Sequence, residues 1–168
     1  MNTATAPDSV QVRQLRWADE ARICARMMSS SEPWLTLQRS FEQCLDVLED
    51  PSREVYVAVE GAQVLGFVIL NMAGAFAGYI QTICVVEHER SRGIGTRLVD
   101  FAEKRIYRDS PNVFLCVSSF NPRARALYER LGYQLIGELK DYIVAGHDEL
   151  LFRKTIAPIR DFRKETKL

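Results

Sequence analysis

The sequence predicts a single α/β domain built on a mixed sheet, and three observations carry that expectation. The chain has 168 residues, enough for one well-filled core and too few for two. Apolar residues make up 47% and charged residues 26%, the balance of an ordinary globular protein. The hydrophobic period also switches along the chain between the 3.6 of helices and the 2 of strands. The resulting order is β-α-α-β-β-β-α-β-α-β-β, with helices expected on both faces of the sheet.

Residues 10–16 alternate apolar and polar side chains and read as a first strand. Asp19 can cap a helix carrying Ala21, Ile23, Cys24, Met27 and Met28 at helical spacing. Residues 29–33 break it. A second helix is expected over residues 36–48, with Leu37, Phe41, Cys44, Leu45 and Leu48 on one face, and Pro51 ends that region. Residues 55–59 and 64–70 then form a hairpin around Glu60-Gly61-Ala62-Gln63. Residues 79–86 make a further strand, and residues 93–108 a helix that buries Ile94, Leu98, Phe101, Ala102 and Ile106. Residues 113–117 have too few polar groups for an exposed strand, which places that strand centrally. A helix over residues 121–131 closes on Gly132, and residues 133–144 and 150–156 complete a last hairpin. Residues 1–9 are expected to be a flexible N-terminus, residues 10–156 the domain, and residues 157–168 a basic C-terminal tail.

Composition narrows the function. Lys plus Arg equals Asp plus Glu at 22 each, so no net charge points to nucleic acid. Cys24, Cys44, Cys84 and Cys116 are widely spaced in apolar runs, without the pairing that zinc or a redox motif needs. With two histidines, the expectation is no metal and a reducing, cytoplasmic setting. Residues 64–80 carry no charge, but Gly66, Asn71, Gly74 and Gly78 interrupt them, so two buried strands are expected rather than a membrane span.

The most informative stretch is the strand that runs through Arg90-Ser91-Arg92-Gly93-Ile94-Gly95-Thr96 into an amphipathic helix. Glycines let successive N–H groups converge, and a helix N-terminus adds unpaired donors and a positive dipole end. Arg90, Arg92 and Arg97 would put three guanidinium groups in one segment, suited to a diphosphate. Taken alone, a G-x-G before a helix is equally a plain turn. A dinucleotide-binding βαβ unit is disfavoured, because the third glycine is missing and several strands come first.

At these residues the chain resembles the GNAT N-acetyltransferases. Their R/Q-x-x-G-x-G/A signature matches Arg90-Ser91-Arg92-Gly93-Ile94-Gly95. Their second, an Asn opening a helix that ends Leu-Tyr-x-x-x-Gly-Phe/Tyr, matches Asn121 through Leu127-Tyr128 to Gly132-Tyr133. The strand order agrees across residues 10–156. Glu87 and Glu89 depart from a common Pro and a common aromatic on the approach to the loop. The resemblance implies the acyl-CoA N-acyltransferase fold, with its fourth and fifth strands splayed. It also implies acetyl-CoA as donor, held by backbone amides at Ile83, Cys84 and Val85 and by the loop Arg90, Ser91, Arg92, Gly93, Ile94, Gly95 and Thr96. Asn121 would be a helix cap, a pantetheine contact or both. Tyr128 would protonate the departing thiolate, or it simply packs.

Transfer to an amine also needs the amine neutral. Relatives that act on ribosomal-protein N-termini carry a Glu five residues before the Asn, and here that position is Cys116. Gln81 stands where other members have a carboxylate. Cys116 is otherwise a small buried strand residue. The remaining base candidates are Glu32, His147, Asp148 and Glu149, each equally an ordinary surface group. The acceptor region implied by the resemblance is residues 29–37, with Trp34 as cleft wall or core, and residues 142–149. The expected acceptor is a small-molecule amine or a peptide N-terminus, with no nucleic acid or membrane partner; a homodimer stays open. The competing readings are a non-catalytic acyl-CoA-binding sensor and an acyltransferase for a longer acyl-CoA.

Overall fold

The computed structural model describes residues 9–164. The expected flexible N-terminus, apart from Ser9, and residues 165–168 of the expected basic tail lie outside the described residues. The strands are β1 (Val10–Gln14), β2 (Arg53–Glu60), β3 (Gln63–Asn71), β4 (Tyr79–Val85), β5 (Asn112–Ser118), β6 (Gln134–Leu139) and β7 (Glu149–Thr155). The helices are α1 (Ala18–Ser29), α2 (Phe41–Glu49), α3 (Ile94–Ile106) and α4 (Pro122–Arg130). Among the described residues the strands form one sheet in the order β1-β2-β3-β4-β5-β7-β6. The element order is the expected one.

Two boundaries moved for identifiable reasons. The second helix begins at Phe41 rather than near residue 36, because Ser40 is its N-cap: Ser40 Oγ accepts from Gln43 N, and Gln43 Oε1 accepts from Ser40 N, a reciprocal capping box. Leu37 mimics helical spacing with Phe41 from the end of a run of turns over residues 32–38. The sixth strand stops at Leu139 rather than at residue 144. Asp141 has a positive φ of 47°, and Asp148 accepts from both Asp141 N and Lys140 Nζ, which folds the chain into a tight turn.

Two cores sandwich the sheet. Cys24, Ala25 and Met28 of α1 and Cys44 and Leu48 of α2 pack on Val57, Phe67 and Ile69. On the other face Leu98, Val99, Ala102 and Ile106 of α3 pack on Val68, Leu70, Leu115 and Phe152. Leu98 is fully buried there, and truncating such a side chain to Ala costs about 2–5 kcal/mol. The uncharged run expected as two strands is indeed most of β3 and the start of β4, paired antiparallel. No helix among the described residues is long and apolar enough to cross a membrane.

The feature that makes a site is in the middle of the sheet. Among the described residues β4 and β5 are its one parallel pair, and they are in register only at Tyr79↔Phe114 and Ile80↔Leu115. Gly78 (φ +91°) brings the chain into that contact, since a Cβ there would lie 2.4 Å from the Asn112 carbonyl oxygen. The register of β3 with β4 then slips, Leu70 facing Ile80 but Ile69 facing Thr82, which leaves Gln81 as the extra residue of a bulge. Beyond the bulge β4 stays on β3 and β5 stays on β7, so the two central strands diverge.

Candidate active site

Two clefts open at that divergence. The first, about 800 Å³, is lined by Ile83, Cys84 and Val85 of β4, by Arg90, Ser91, Gly93, Ile94, Gly95 and Thr96, and by Asn121, Arg123 and Tyr128 of the α4 segment. The second, about 600 Å³, runs from the α1–α2 connection and α2 to the β6–β7 segment. It is lined by Trp34, Gln81, Cys116, Ser118, Tyr142 and Glu149 among others. Trp34, Ile83, Asn121, Ala124 and Tyr128 belong to both walls, so the clefts meet at Tyr128.

The first cleft fits a phosphorylated ligand. Gly93 is the N-cap of α3 with φ +79°, a left-handed conformation, and a Cβ built there meets nothing within 4 Å, so the backbone faces open space. Next to it the first-turn amides of α3 have no intrahelical acceptors. The expected set of three guanidinium groups is not what surrounds them. Arg92 is held by Glu89 and by Glu60, the latter at 3.2 Å, and is not part of the wall. Arg97 reaches the other way, donating to the Val10 carbonyl at 2.7 Å. Of the three only Arg90 lines the cleft, and Arg123 joins it from α4, donating to Ser91 Oγ at 3.2 Å. Arg123 was missed in the sequence because the motif was read along one segment, whereas this side chain arrives from a helix two elements later.

Asn121 both caps and lines. Its Oδ1 accepts from Ala124 N at 3.1 Å while the residue faces both clefts. Tyr128 is 9% exposed, and its ring packs edge-on against Tyr133 with centroids 5.6 Å apart. Burial alone pushes its phenol above the usual tyrosine range, and no hydrogen bond among the described residues offsets that. The group stays protonated at neutral pH and remains a proton donor.

In the second cleft the candidates separate. Gln81 Oε1 accepts from Arg53 Nε at 2.7 Å, so it is a polar wall and no base. Trp34 is wall and core at once, since it also packs on the α1–α2 core. Cys116 is half-buried; desolvation raises its thiol, partly offset by a hydrogen bond from Tyr79. Glu32 sits on the first cleft, exposed, its carboxylate accepting from Thr36 N. His147 lines neither cleft and packs its ring on Phe120, centroids 4.8 Å apart. Asp148 is engaged by Lys140 and Asp141 N. That leaves Glu149, which is 3% exposed and lines the second cleft. Tyr79 was missed in the sequence, although two residues before Gln81 on a strand entering the cleft was a sufficient signal. Among the described residues no group of three or more His, Cys, Asp or Glu could hold a metal ion.

The model of the acetyltransferase (GNAT) family matches residues 11–133. An N-alpha-acetyltransferase of Saccharolobus solfataricus is 27% identical over 114 residues, covering 60% of this chain and 68% of that protein. The crystal structure of Ard1 from Thermoplasma volcanium superposes with a TM-score of 0.75 at 18% identity, covering 89% of this chain and 99% of that one. An aminoglycoside 6'-N-acetyltransferase complexed with coenzyme A gives a TM-score of 0.71 at 16% identity, over 88% and 98% of the two chains. At such identities the superpositions speak for the fold, and the family match over most of the chain speaks for more: the chain belongs to the acetyltransferase (GNAT) family and is an N-acetyltransferase.

Proposed function

We propose that the chain uses acetyl-CoA as donor and acetylates the α-amine of a peptide or protein N-terminus. The observation that carries this reading is the meeting of two clefts at Tyr128, one with the features of a phosphate site and one with the features of an amine site. Bound acetyl-CoA supplies an activated acyl group as a thioester. The amides of the loop before α3, with Arg90 and Arg123, hold the diphosphate. The backbone of Ile83, Cys84 and Val85, free of β5 beyond the bulge, orients the pantetheine arm and polarises the acyl carbonyl. Tyr128 holds a proton at its hydroxyl for the departing sulfur.

The choice of an α-amine rests on chemistry and kinship. An α-amine has a pKa near ~8, against ~10.4 for a lysine, and demands less of a site whose usual carboxylate positions hold Gln81 and Cys116. The N-alpha-acetyltransferase of Saccharolobus solfataricus supports the same acceptor class. Retention of Tyr128 in the shared wall favours catalysis over a sensor that only binds acyl-CoA. The test is a mass-spectrometric screen with acetyl-CoA and three acceptor sets: peptides with free N-termini, the same peptides blocked at the N-terminus with free lysines, and small polyamines. Acetyl groups on free N-termini are expected. Acetyl-CoA binding with no product in any set would overturn the reading.

A further inference from the structure

The acceptor cleft contains a carboxylate that no other group accounts for. Glu149 opens β7 and pairs in register with Ser118 of β5, while Leu151 pairs with Cys116. The side chains of Val113, Leu115 and Val117 pack in the core under α3, so Cys116 and Ser118 project to the opposite face, and Glu149 with them. Tyr79 joins them from β4, beside Phe114 on the same face. Ser118 Oγ donates to Glu149 Oε1 at 2.6 Å. Among the described residues nothing donates to Oε2, and no cation lies within ion-pair distance, although Arg39 and Arg53 line the same cleft. The carboxylate is 3% exposed, and Oε2, unpaired but not fully buried, is the oxygen left to meet a cation entering the cleft.

We infer that Glu149 is the acceptor-side base: its free oxygen receives the ammonium of the incoming amine and takes the proton that must leave before attack. The inference rests on the proposed acetyl transfer and supplies what Gln81 and Cys116 lack, with the carboxylate moved one strand over from the Cys116 position. In balance, the ammonium gives one proton to Glu149, which passes it to solvent. The neutral amine forms the N–C bond as the C–S bond breaks. The sulfur takes its proton from Tyr128, and the second amine proton, lost as the amide forms, restores Tyr128 through water.

Burial places the group well for this task. Desolvation raises its carboxyl above the ordinary range, and the Ser118 hydrogen bond partly offsets that. The raised value narrows a gap of over ~3 units between an ordinary carboxyl and an α-amine. The ionisable groups that share the wall are Tyr79, Cys116, Tyr128 and Tyr142, with the guanidinium groups of Arg39 and Arg53. Glu149 must be ionised to act, so activity falls as pH drops through its raised pKa.

Glu149→Gln keeps an acceptor oxygen for Ser118 and removes the base. At pH 7 its kcat should drop about 10²-fold, with the KM for acetyl-CoA within about twofold. Its rate should then climb tenfold per pH unit up to the pKa of the acceptor amine, where the wild-type enzyme is flat. Glu149→Asp should recover part of the loss. Calorimetry with coenzyme A and an acceptor peptide should show weaker peptide binding by Glu149→Gln and unchanged coenzyme binding. An active wild-type enzyme with Glu149→Gln matching it in rate and pH profile would overturn the inference alone. A loss equal at every pH, together with a fallen Tm, would also overturn it, as a purely structural role. Wild-type protein that acetylates no amine would overturn the reaction itself, and proton transfer with it.

Discussion

Arg123 at the start of α4 donates to Ser91 Oγ in the loop before α3 at 3.2 Å, tying together the two segments that frame the donor cleft. Arg92, one residue from Ser91, is spent on Glu60 and Glu89. Two arginines at one loop should therefore behave differently. Arg123→Ala is expected to weaken acetyl-CoA binding by about tenfold, as loss of one charge-assisted contact worth ~1.4 kcal/mol would. Arg92→Ala should stay within about twofold, because its charge is already balanced on an exposed surface. Calorimetric titration of both variants checks the contrast, and equal losses would return Arg92 to the site.

Gly93 offers a test of backbone approach rather than charge. Its φ of +79° is strained for any side chain, and an added Cβ would enter the open space in front of the α3 amides. Gly93→Val should cost about 1–2 kcal/mol of stability and weaken acetyl-CoA binding at least tenfold. A folded variant with unchanged affinity would remove the loop from the phosphate site.

The order of all eleven principal elements was legible in the sequence because each carries its own local period. Boundaries were lost where a local pattern imitated another, as Leu37 imitated helical spacing ahead of the Ser40 cap. The loop and Tyr128 were legible as motifs. The aim of Arg92 and Arg97 was not, since Glu60 and Val10 meet them only after the chain folds. Glu149 illustrates the same limit: it stood among four candidates in the sequence, and only the β5–β7 register, set 31 residues apart, singles it out beside Ser118.

Tyr128→Phe should separate chemistry from packing. Among the described residues the phenol has no hydrogen-bond partner, and Phe preserves the edge-on contact with Tyr133. Tm is therefore expected to hold within a degree or two, while kcat falls about 10²-fold with acetyl-CoA affinity unchanged. Full kcat, with single-turnover rates also unchanged, would reduce Tyr128 to a packing residue.

Away from the site, Glu20 anchors α1 to β1. It is 7% exposed and takes a bidentate contact from Arg13 and a further bond from Arg16 N at 3.0 Å. The Arg13 hydrogen bonds hold its carboxyl below the ordinary range, outweighing burial. The stabilisation is present in full above the unfolded pKa near ~4.3 and is lost as pH falls through the lower folded value. Glu20→Gln should cost about 1–3 kcal/mol at pH 7, and its Tm should converge on wild type under acid. Thermal scans from neutral pH downward measure this, and a constant gap would refute it.

Cys116 gives the last test, one that reads the acceptor cleft without an assay for acceptors. Cys24, Cys44 and Cys84 are buried, and Cys116 alone of the four cysteines is partly open, on the cleft wall beside Tyr79. An alkylating reagent should therefore label Cys116 first. Desolvation keeps the thiol protonated at neutral pH, so labelling should be slow at pH 7 and accelerate as pH rises through the raised thiol pKa. Bound acetyl-CoA should slow it, and the label should block turnover by filling the space the amine needs. Cys116→Ala should resist this inactivation and keep most of its activity, since direct transfer asks nothing of the thiol. A well-folded Cys116→Ala protein without turnover, together with an acetyl-thioester trapped on Cys116 in the wild type, would replace direct transfer with a covalent route.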